Sequence, residues 1–215
     1  MKSIKLSLAA VVLVSGLYAA DSTSEVGVSA NMAITSNYVW RGMSQTKNSP
    51  AIQGGVDLDY KGFYLGVWGS NIEFGDAKAS LEADVYLGYA GELSSFSYDL
   101  SIVEYMYPNM SDEYNFAEVY VDLGYDFNVA SISAKYALGI KTNDTDPDDN
   151  WEVGACVPLP MEFSVDLTYG DYDTLGAYYL VGVNKSLGKF DFTLAYTAND
   201  ATDEDNIVAT VGTSF

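Results

Sequence analysis

The 215-residue sequence contains no histidine. This removes the usual general base, the Ser-His and Cys-His nucleophile pairs and the commonest zinc ligand. A single cysteine, Cys156, excludes an internal disulfide and any CxxC redox or metal site. Basic residues are scarce: ten Lys and Arg stand against thirty Asp and Glu, for a formal net charge of −20. The phosphate backbone would repel such a chain, so a nucleic-acid partner is excluded. Long apolar runs are missing as well. Beyond the first twenty residues nothing approaches the roughly 18 consecutive apolar residues of a transmembrane helix, and no long stretch keeps a 3.6-residue period. What is abundant is tyrosine (18) and glycine (19), with only five prolines and 48% hydrophobic residues. That composition is too apolar for disorder and points to an aromatic, turn-rich, all-β chain.

The ends carry signals of their own. Met1 to Ala20 has Lys2 and Lys5, an apolar stretch from Leu6 to Tyr18, and small residues at Ala19 and Ala20 before Asp21. This predicts a secretory signal peptide over 1–20, leaving 21–215 as a single domain that is more acidic still. No cysteine follows it, so a lipoprotein anchor is not expected. At the other end Ile207, Ala209, Val211, Thr213 and Phe215 alternate with Val208, Thr210, Gly212 and Ser214. A final amphipathic strand ending in Phe resembles the C-terminal signature of Gram-negative outer-membrane barrels, which their assembly machinery reads.

Between the ends, period two dominates. One face carries Val28, Ala30, Met32 and Ile34, and the other Gly27, Ser29, Asn31 and Thr35. The same alternation recurs over Ile52 to Tyr60, Phe63 to Val67, Leu81 to Tyr89, Phe96 to Ile102, Ala117 to Tyr125, Ala130 to Ile140, Trp151 to Val157, Met161 to Tyr169, Ala177 to Val183 and Phe190 to Tyr196. With the C-terminal strand this predicts about twelve strands. Short links, such as Lys61-Gly62 and Ser186 to Gly188, alternate with long ones at Asn37 to Pro50, Asn71 to Lys78, Pro108 to Asn115, Thr142 to Asn150, Gly170 to Thr174 and Asn199 to Asn206. An even strand count, with both termini on the side of the short turns, is the arrangement of a transmembrane antiparallel up-and-down β-barrel.

Aromatic residues give an independent test. Tyr60, Phe63, Tyr89, Phe96, Tyr125, Phe163, Phe190 and Phe215 would share the short-turn ends of the apolar face, forming one girdle. Trp40, Trp151, Tyr169 and Tyr196 would form the other, where amphipathic rings favour a membrane interface. A secreted β-sandwich is the competing reading. Its strands would average roughly 5–6 residues, whereas a tilted bilayer-crossing strand needs roughly 9–11, as here. One strand breaks phase: Glu104 follows Ile102 on the apolar face while Val103, Tyr105 and Tyr107 become apolar. A β-bulge near Ile102 would account for it.

The segment SNYVWRGMSQTKNSPAIQGG, Ser36 to Gly55, followed by GFYLGVWGSN, Gly62 to Asn71, resembles the N-terminal signature of the TorF-type porin family of proteobacteria. The resemblance implies an exported outer-membrane barrel. It bears on architecture more than on activity, because the substrates of that family are not generally established.

The polar phase of the strands holds Asp57, Asp59, Glu82, Asp84, Asp99, Glu118, Asp122, Glu152, Glu162, Asp166 and Asp191, against Arg41, Lys135 and Lys141. So many ionised groups do not suit a dry core, which predicts a hydrated lumen lined by Arg41, Asp57, Glu82, Asp84, Asp99, Glu118, Asp122, Lys135, Lys141, Glu152 and Asp166. Excess negative charge would favour cations over anions. Arg41, the only arginine, has two readings: a constriction residue facing carboxylates, or a loop residue ordering Asn37 to Pro50 through one acid. Tyr64, Trp68, Tyr86, Tyr120 and Tyr178 also point inward, either to fill the barrel or to stack against flat solutes. Asp144, Asp146, Asp148 and Asp149 give one loop the look of a calcium site, but Asp149 stands where an EF-hand needs Gly and Ala155 where it needs Glu. Gly182 to Lys189 has the wrong spacing for a P-loop.

The function expected from these features is passive, cation-preferring diffusion of small hydrophilic solutes across a Gram-negative outer membrane, with no cofactor and no catalysis. Lipids, lipopolysaccharide and, through the C-terminal strand, the barrel-assembly machinery are the expected partners. A non-conducting structural or adhesion barrel that works through its outer loops is the alternative.

Overall fold

The computed structural model describes residues 26–73, 79–108, 110–111, 114–142 and 145–215. The expected signal peptide over 1–20 lies outside these residues, as do Asn143 and Asp144 of the acidic loop. Fourteen strands form: β1 Gly27–Thr35, β2 Val39–Trp40, β3 Met43–Ser44, β4 Ala51–Tyr60, β5 Phe63–Asn71, β6 Leu81–Leu93, β7 Phe96–Met106, β8 Phe116–Asp126, β9 Ser131–Ile140, β10 Asn150–Leu159, β11 Phe163–Tyr172, β12 Gly176–Leu187, β13 Phe190–Asn199 and β14 Glu204–Ser214. All except β2 and β3 belong to one closed antiparallel barrel in which each strand pairs with its sequence neighbours and β14 returns to β1. The twelve-stranded prediction therefore holds, and β2 and β3 make a separate two-stranded hairpin.

The barrel is inside out relative to a water-soluble one. Alternation places Val56, Leu58, Leu65, Val67, Leu87 and Leu100 on the exposed outer surface, while Asp57, Asp84, Asp99, Glu118 and Asp166 are buried within. A continuous apolar exterior of this extent does not suit an aqueous surface, and it matches the lipid-facing band of a membrane barrel. At the short-turn end Tyr60, Phe63, Tyr89, Phe96, Tyr125, Phe163, Phe190 and Phe215 are all exposed on this outer face, as the girdle requires. Trp151, Tyr169 and Tyr196 are exposed near the other end.

Four local expectations are corrected. First, Trp40 is not in the girdle: it belongs to the inturned β2–β3 hairpin and packs against Tyr105, Phe116 and Tyr172. Second, β7 has no bulge. Its pairing with β6 and β8 runs without a skipped residue from Phe96 past Glu104, so Val103 and Tyr105 point inward and Glu104 outward. Third, two links expected to be long are short, because β11 runs on to Tyr172 and β14 starts at Glu204. Fourth, Glu162 is not on an inward strand face but in the turn before β11, where its carboxylate lies 3.6 Å from Lys185 Nζ.

Within the barrel, packing is uneven. Trp68, Tyr86, Val103, Tyr105 and Tyr120, from β5 to β8, join Tyr38 of the first loop in one buried cluster. Filling is thus the role of most inward aromatics. Tyr64 faces Gly88 across β5 and β6, and Tyr86 faces Gly66. A Cβ at either glycine would fall within the facing tyrosine ring, so each glycine makes room for one ring. On the opposite wall small inward residues such as Ser133, Gly154, Thr168 and Gly182 alternate with the larger Lys135, Tyr178 and Leu180. The ring closes through the narrowest pairing of all: β1 matches β14 over five residue pairs, Asn31↔Ser214 to Thr35↔Thr210, against nine with β4.

Candidate functional site

The first long loop folds into the mouth of the barrel. Thr35 Oγ1 donates to Asn37 O at 2.9 Å, and Asn37 Nδ2 donates to Asn206 Oδ1 on β14 at 3.0 Å, turning the chain inward just past β1. Thr46 Oγ1 accepts from Tyr38 N at 3.1 Å and closes the base of the hairpin. At its tip, Arg41 (φ 49°) and Gly42 (φ 80°) are both left-handed, the requirement of a two-residue type I′ turn. Gly42 suits this, and it also lies where a Cβ would meet Ala198 O of β13 at 2.6 Å. Arg41 does not suit it, since a non-glycine residue there costs roughly 1–2 kcal/mol.

The contacts of Arg41 offset that strain. Nη1 and Nη2 donate to Glu118 Oε1 and Oε2 at 2.8 and 2.9 Å, a bidentate pair with side-chain exposures of 6% and 0%. The guanidinium is stacked between Trp40 and Tyr172, with ring centroids 4.1 and 4.3 Å away, and Asn199 Nδ2 donates to Arg41 O at 3.1 Å. Burial works against the charge, but Tyr120 and Glu118 outweigh it and raise the guanidinium pKa. Arg41 thus pins the inturned loop through one acid, the second of its two expected readings.

Deeper acids are held mainly by tyrosine hydroxyls. Tyr38 OH donates to Glu82 Oε1 (2.5 Å), Tyr86 OH to Asp57 Oδ1 (2.5 Å) and Tyr64 OH to Asp99 Oδ1 (3.0 Å). Tyr178 OH lies 2.9 Å from Glu152 Oε2, and Tyr120 OH donates to Glu118. Burial first, then the charges of Glu82 and Asp84, hold the Tyr38 phenol well above its ordinary pKa, so it remains a donor. Asp166 accepts from Asn184 Nδ2, and Lys135 Nζ lies 3.6 Å from Asp122 Oδ1 with about a fifth of each side chain exposed. Asp84 differs from all of these: it is 1% exposed, and neither oxygen has a hydrogen-bond partner among the described residues.

Of the expected lumen residues, Lys141 alone lies elsewhere. It sits one residue past β9, exposed, with Nζ 3.6 Å from Asp146 Oδ2 of the same loop. In that loop Asp149 accepts from Tyr136 OH at 2.6 Å and from Gly139 N at 3.0 Å, so part of its acidity is already engaged in protein contacts. Among the described residues no group of three or more His, Cys, Asp or Glu is arranged to hold a metal. Sequence reasoning missed the pairing of acids with tyrosines. Its signal was present in the inward phase, where Glu82, Asp84 and Tyr86 alternate on one strand and Glu118, Tyr120 and Asp122 on another.

The barrel matches solved porins in fold. KdgM porin aligns with a TM-score of 0.62 at 10% identity, covering 87% of this chain and 98% of that one. KdgM porin in complex with disordered oligogalacturonate gives 0.60 at 10% identity, with 87% and 97% covered. NanC porin gives 0.59 at 10% identity, with 88% and 99% covered. At such identities the likeness speaks to architecture. No curated protein matches the sequence. A family model described as a bacterial protein of unknown function (Gcw_chp) matches residues 19–212. Since that match covers nearly the whole chain, the chain belongs to the Gcw_chp family.

Proposed function

We propose that the barrel is an outer-membrane channel through which small hydrophilic solutes diffuse passively, with a preference for cations. One observation carries this reading: Asp57, Glu82, Asp84, Asp99, Glu118, Asp122, Glu152 and Asp166 face the interior, against only Arg41 and Lys135 among the described residues. Arg41 is neutralised by Glu118, so the net field inside is negative. Asp122 and Lys135 keep about a fifth of their side chains exposed within the barrel, where ions would pass. Such a field lowers the energy of cations and raises that of anions. KdgM porin was solved with oligogalacturonate, a chain of uronic acids. An acidic lumen would oppose an anionic polymer of that kind, so shared architecture does not carry the ligand across.

The resemblance of Ser36–Gly55 to the TorF-type porins supports the same reading. Residues 21–215 would be one domain in the outer membrane of a Gram-negative bacterium, its apolar band against lipid and its long loops toward lipopolysaccharide. The exposed Phe215 would serve recognition by the assembly machinery. The inturned first loop favours a second reading, a non-conducting structural or adhesion barrel working through its outer loops.

Single-channel recording in a planar bilayer separates the two. Across a KCl gradient the expected reversal potential has the sign of cation preference, and Asp122→Asn moves it toward zero. Raising KCl from about 0.1 to 1 M shortens the Debye length from about 10 to 3 Å and is expected to weaken the preference. Anion preference would refute the cation selectivity, and no current from a folded, heat-modifiable barrel would refute the channel.

A further inference from the structure

The long-loop mouth holds a cavity of about 250 Å³. Its lining is aromatic, with Tyr38, Trp40, Tyr105, Tyr107, Phe116 and Tyr172, and its charged group is the carboxylate of Glu82. Ring faces are electron-rich and attract cations. No basic side chain lines the cavity, and the nearby Arg41 is committed to Glu118. Two residues from Glu82 on the same inward face of β6 stands Asp84, buried, with both carboxylate oxygens unpartnered among the described residues. Its charge bears on Glu82, Tyr38, Tyr105 and Tyr107, all of which line the cavity. A buried carboxylate without donors is costly. The complement it lacks is positive charge carrying N–H groups.

We propose that this cavity binds a small organic cation, a protonated primary amine on an apolar or flat body. The ammonium faces Glu82, with the buried Asp84 two residues along β6 adding negative charge behind it, and the body lies among the rings. An –NH3+ group supplies three donors and a compact charge, which suits a carboxylate such as Glu82 better than a quaternary nitrogen would. A hydrated metal ion would leave the rings unused, and no set of three metal ligands surrounds the site among the described residues. The volume lies under the roughly 300 Å³ of drug-sized pockets, which limits the guest to a small ion. Met43, Gln45 and Leu175 form part of the wall and belong to the loop end of the barrel, so the guest enters from that side. As a device for capturing solute the site rests on the cation-preferring channel reading, whereas its occupancy requires no open lumen.

The test is calorimetric titration of the full barrel, folded in detergent micelles, with 2-phenylethylamine at pH 7. A parallel titration uses 2-phenylethanol, which has the same body and no charge. Saturable binding of the amine is expected, with the alcohol weaker by about tenfold or more, and with Asp84→Asn and Glu82→Gln each weakening the amine by a similar factor. A tryptophan fluorescence change on binding should vanish in Trp40→Phe. Equal affinity for amine and alcohol, undiminished amine binding in both carboxylate variants, or no saturable binding would overturn the site. If Asp84→Asn does not fold, Glu82→Gln and the alcohol still decide. No current is measured in this experiment, so a barrel that binds the amine without conducting refutes the channel and keeps the site, and a conducting barrel indifferent to the amine does the reverse.

Discussion

Replacing Glu118 with glutamine is expected to destabilise the barrel by about 3–5 kcal/mol, the range found when one partner of a buried ion pair is removed. Its carboxylate is wholly buried and takes both terminal nitrogens of Arg41. A glutamine keeps the shape but leaves a guanidinium charge among Trp40, Tyr172 and Tyr105 with no counter-ion. The cost falls on the hairpin, because Arg41 holds a left-handed backbone that only these contacts maintain. Equilibrium unfolding in detergent should therefore show a lower midpoint. Single-channel steps should become larger as the freed loop leaves the mouth. The double variant Arg41→Met with Glu118→Leu removes both charges at once and should recover most of the stability while keeping the larger steps. Recovery of stability together with restored small steps would mean that packing alone, not the ion pair, holds the loop in.

A comparable effect is expected on the opposite face of the wall. Val67 lies at the middle of β5, outward and exposed, opposite Val56 and Val85 on the flanking strands. At the bilayer midplane an arginine there should cost about 2–4 kcal/mol. In lipid vesicles Val67→Arg should lower stability by that amount. Thr168→Arg, on the inward face of β11 beside Gly154, should change stability by less than about 0.5 kcal/mol. Thr168→Arg should also move the reversal potential toward anions, which Val67→Arg should not. A destabilised Thr168→Arg beside a tolerated Val67→Arg would turn the molecule right side out and make it a water-soluble barrel.

Strand content was legible because lipid on one side and polar groups on the other impose a period of two that no other local signal imitates. Twelve strands, the closed order and the short-turn girdle follow from it. The phase reading failed where it was carried past a strand end. Trp40 shares the apolar parity of β1, but the turn at Ser36 and Asn37 breaks the count and sends the ring inward. Lys141 likewise lies one residue beyond β9, in a loop that faces out. At Glu104 the opposite error arose: an acid on the outer face near the end of β7 suggested a bulge, although a charged tip close to a membrane interface costs little there. The mouth was the least visible part. Arg41 meets Glu118 across 77 residues of sequence, and Asn199 meets Arg41 across 158, separations at which a single sequence carries no signal.

The narrow pairing of β1 with β14 has a kinetic consequence. Every other strand pair of the barrel joins strands that follow one another in sequence, with only the β2–β3 hairpin between β1 and β4, so each closes a comparatively short loop. The seam alone must bring residues near 30 to residues near 215, with backbone bonds between Ala30 and Phe215 at 3.2 and 2.8 Å sealing its lower end. Loop-closure entropy places such a contact late. The chain therefore passes through an open, curled sheet whose two unpaired edges are its first and last strands. Amide hydrogens along Asn31 to Thr35 and Thr210 to Ser214 should be the last to gain protection during assembly and the first to exchange once the ring is complete.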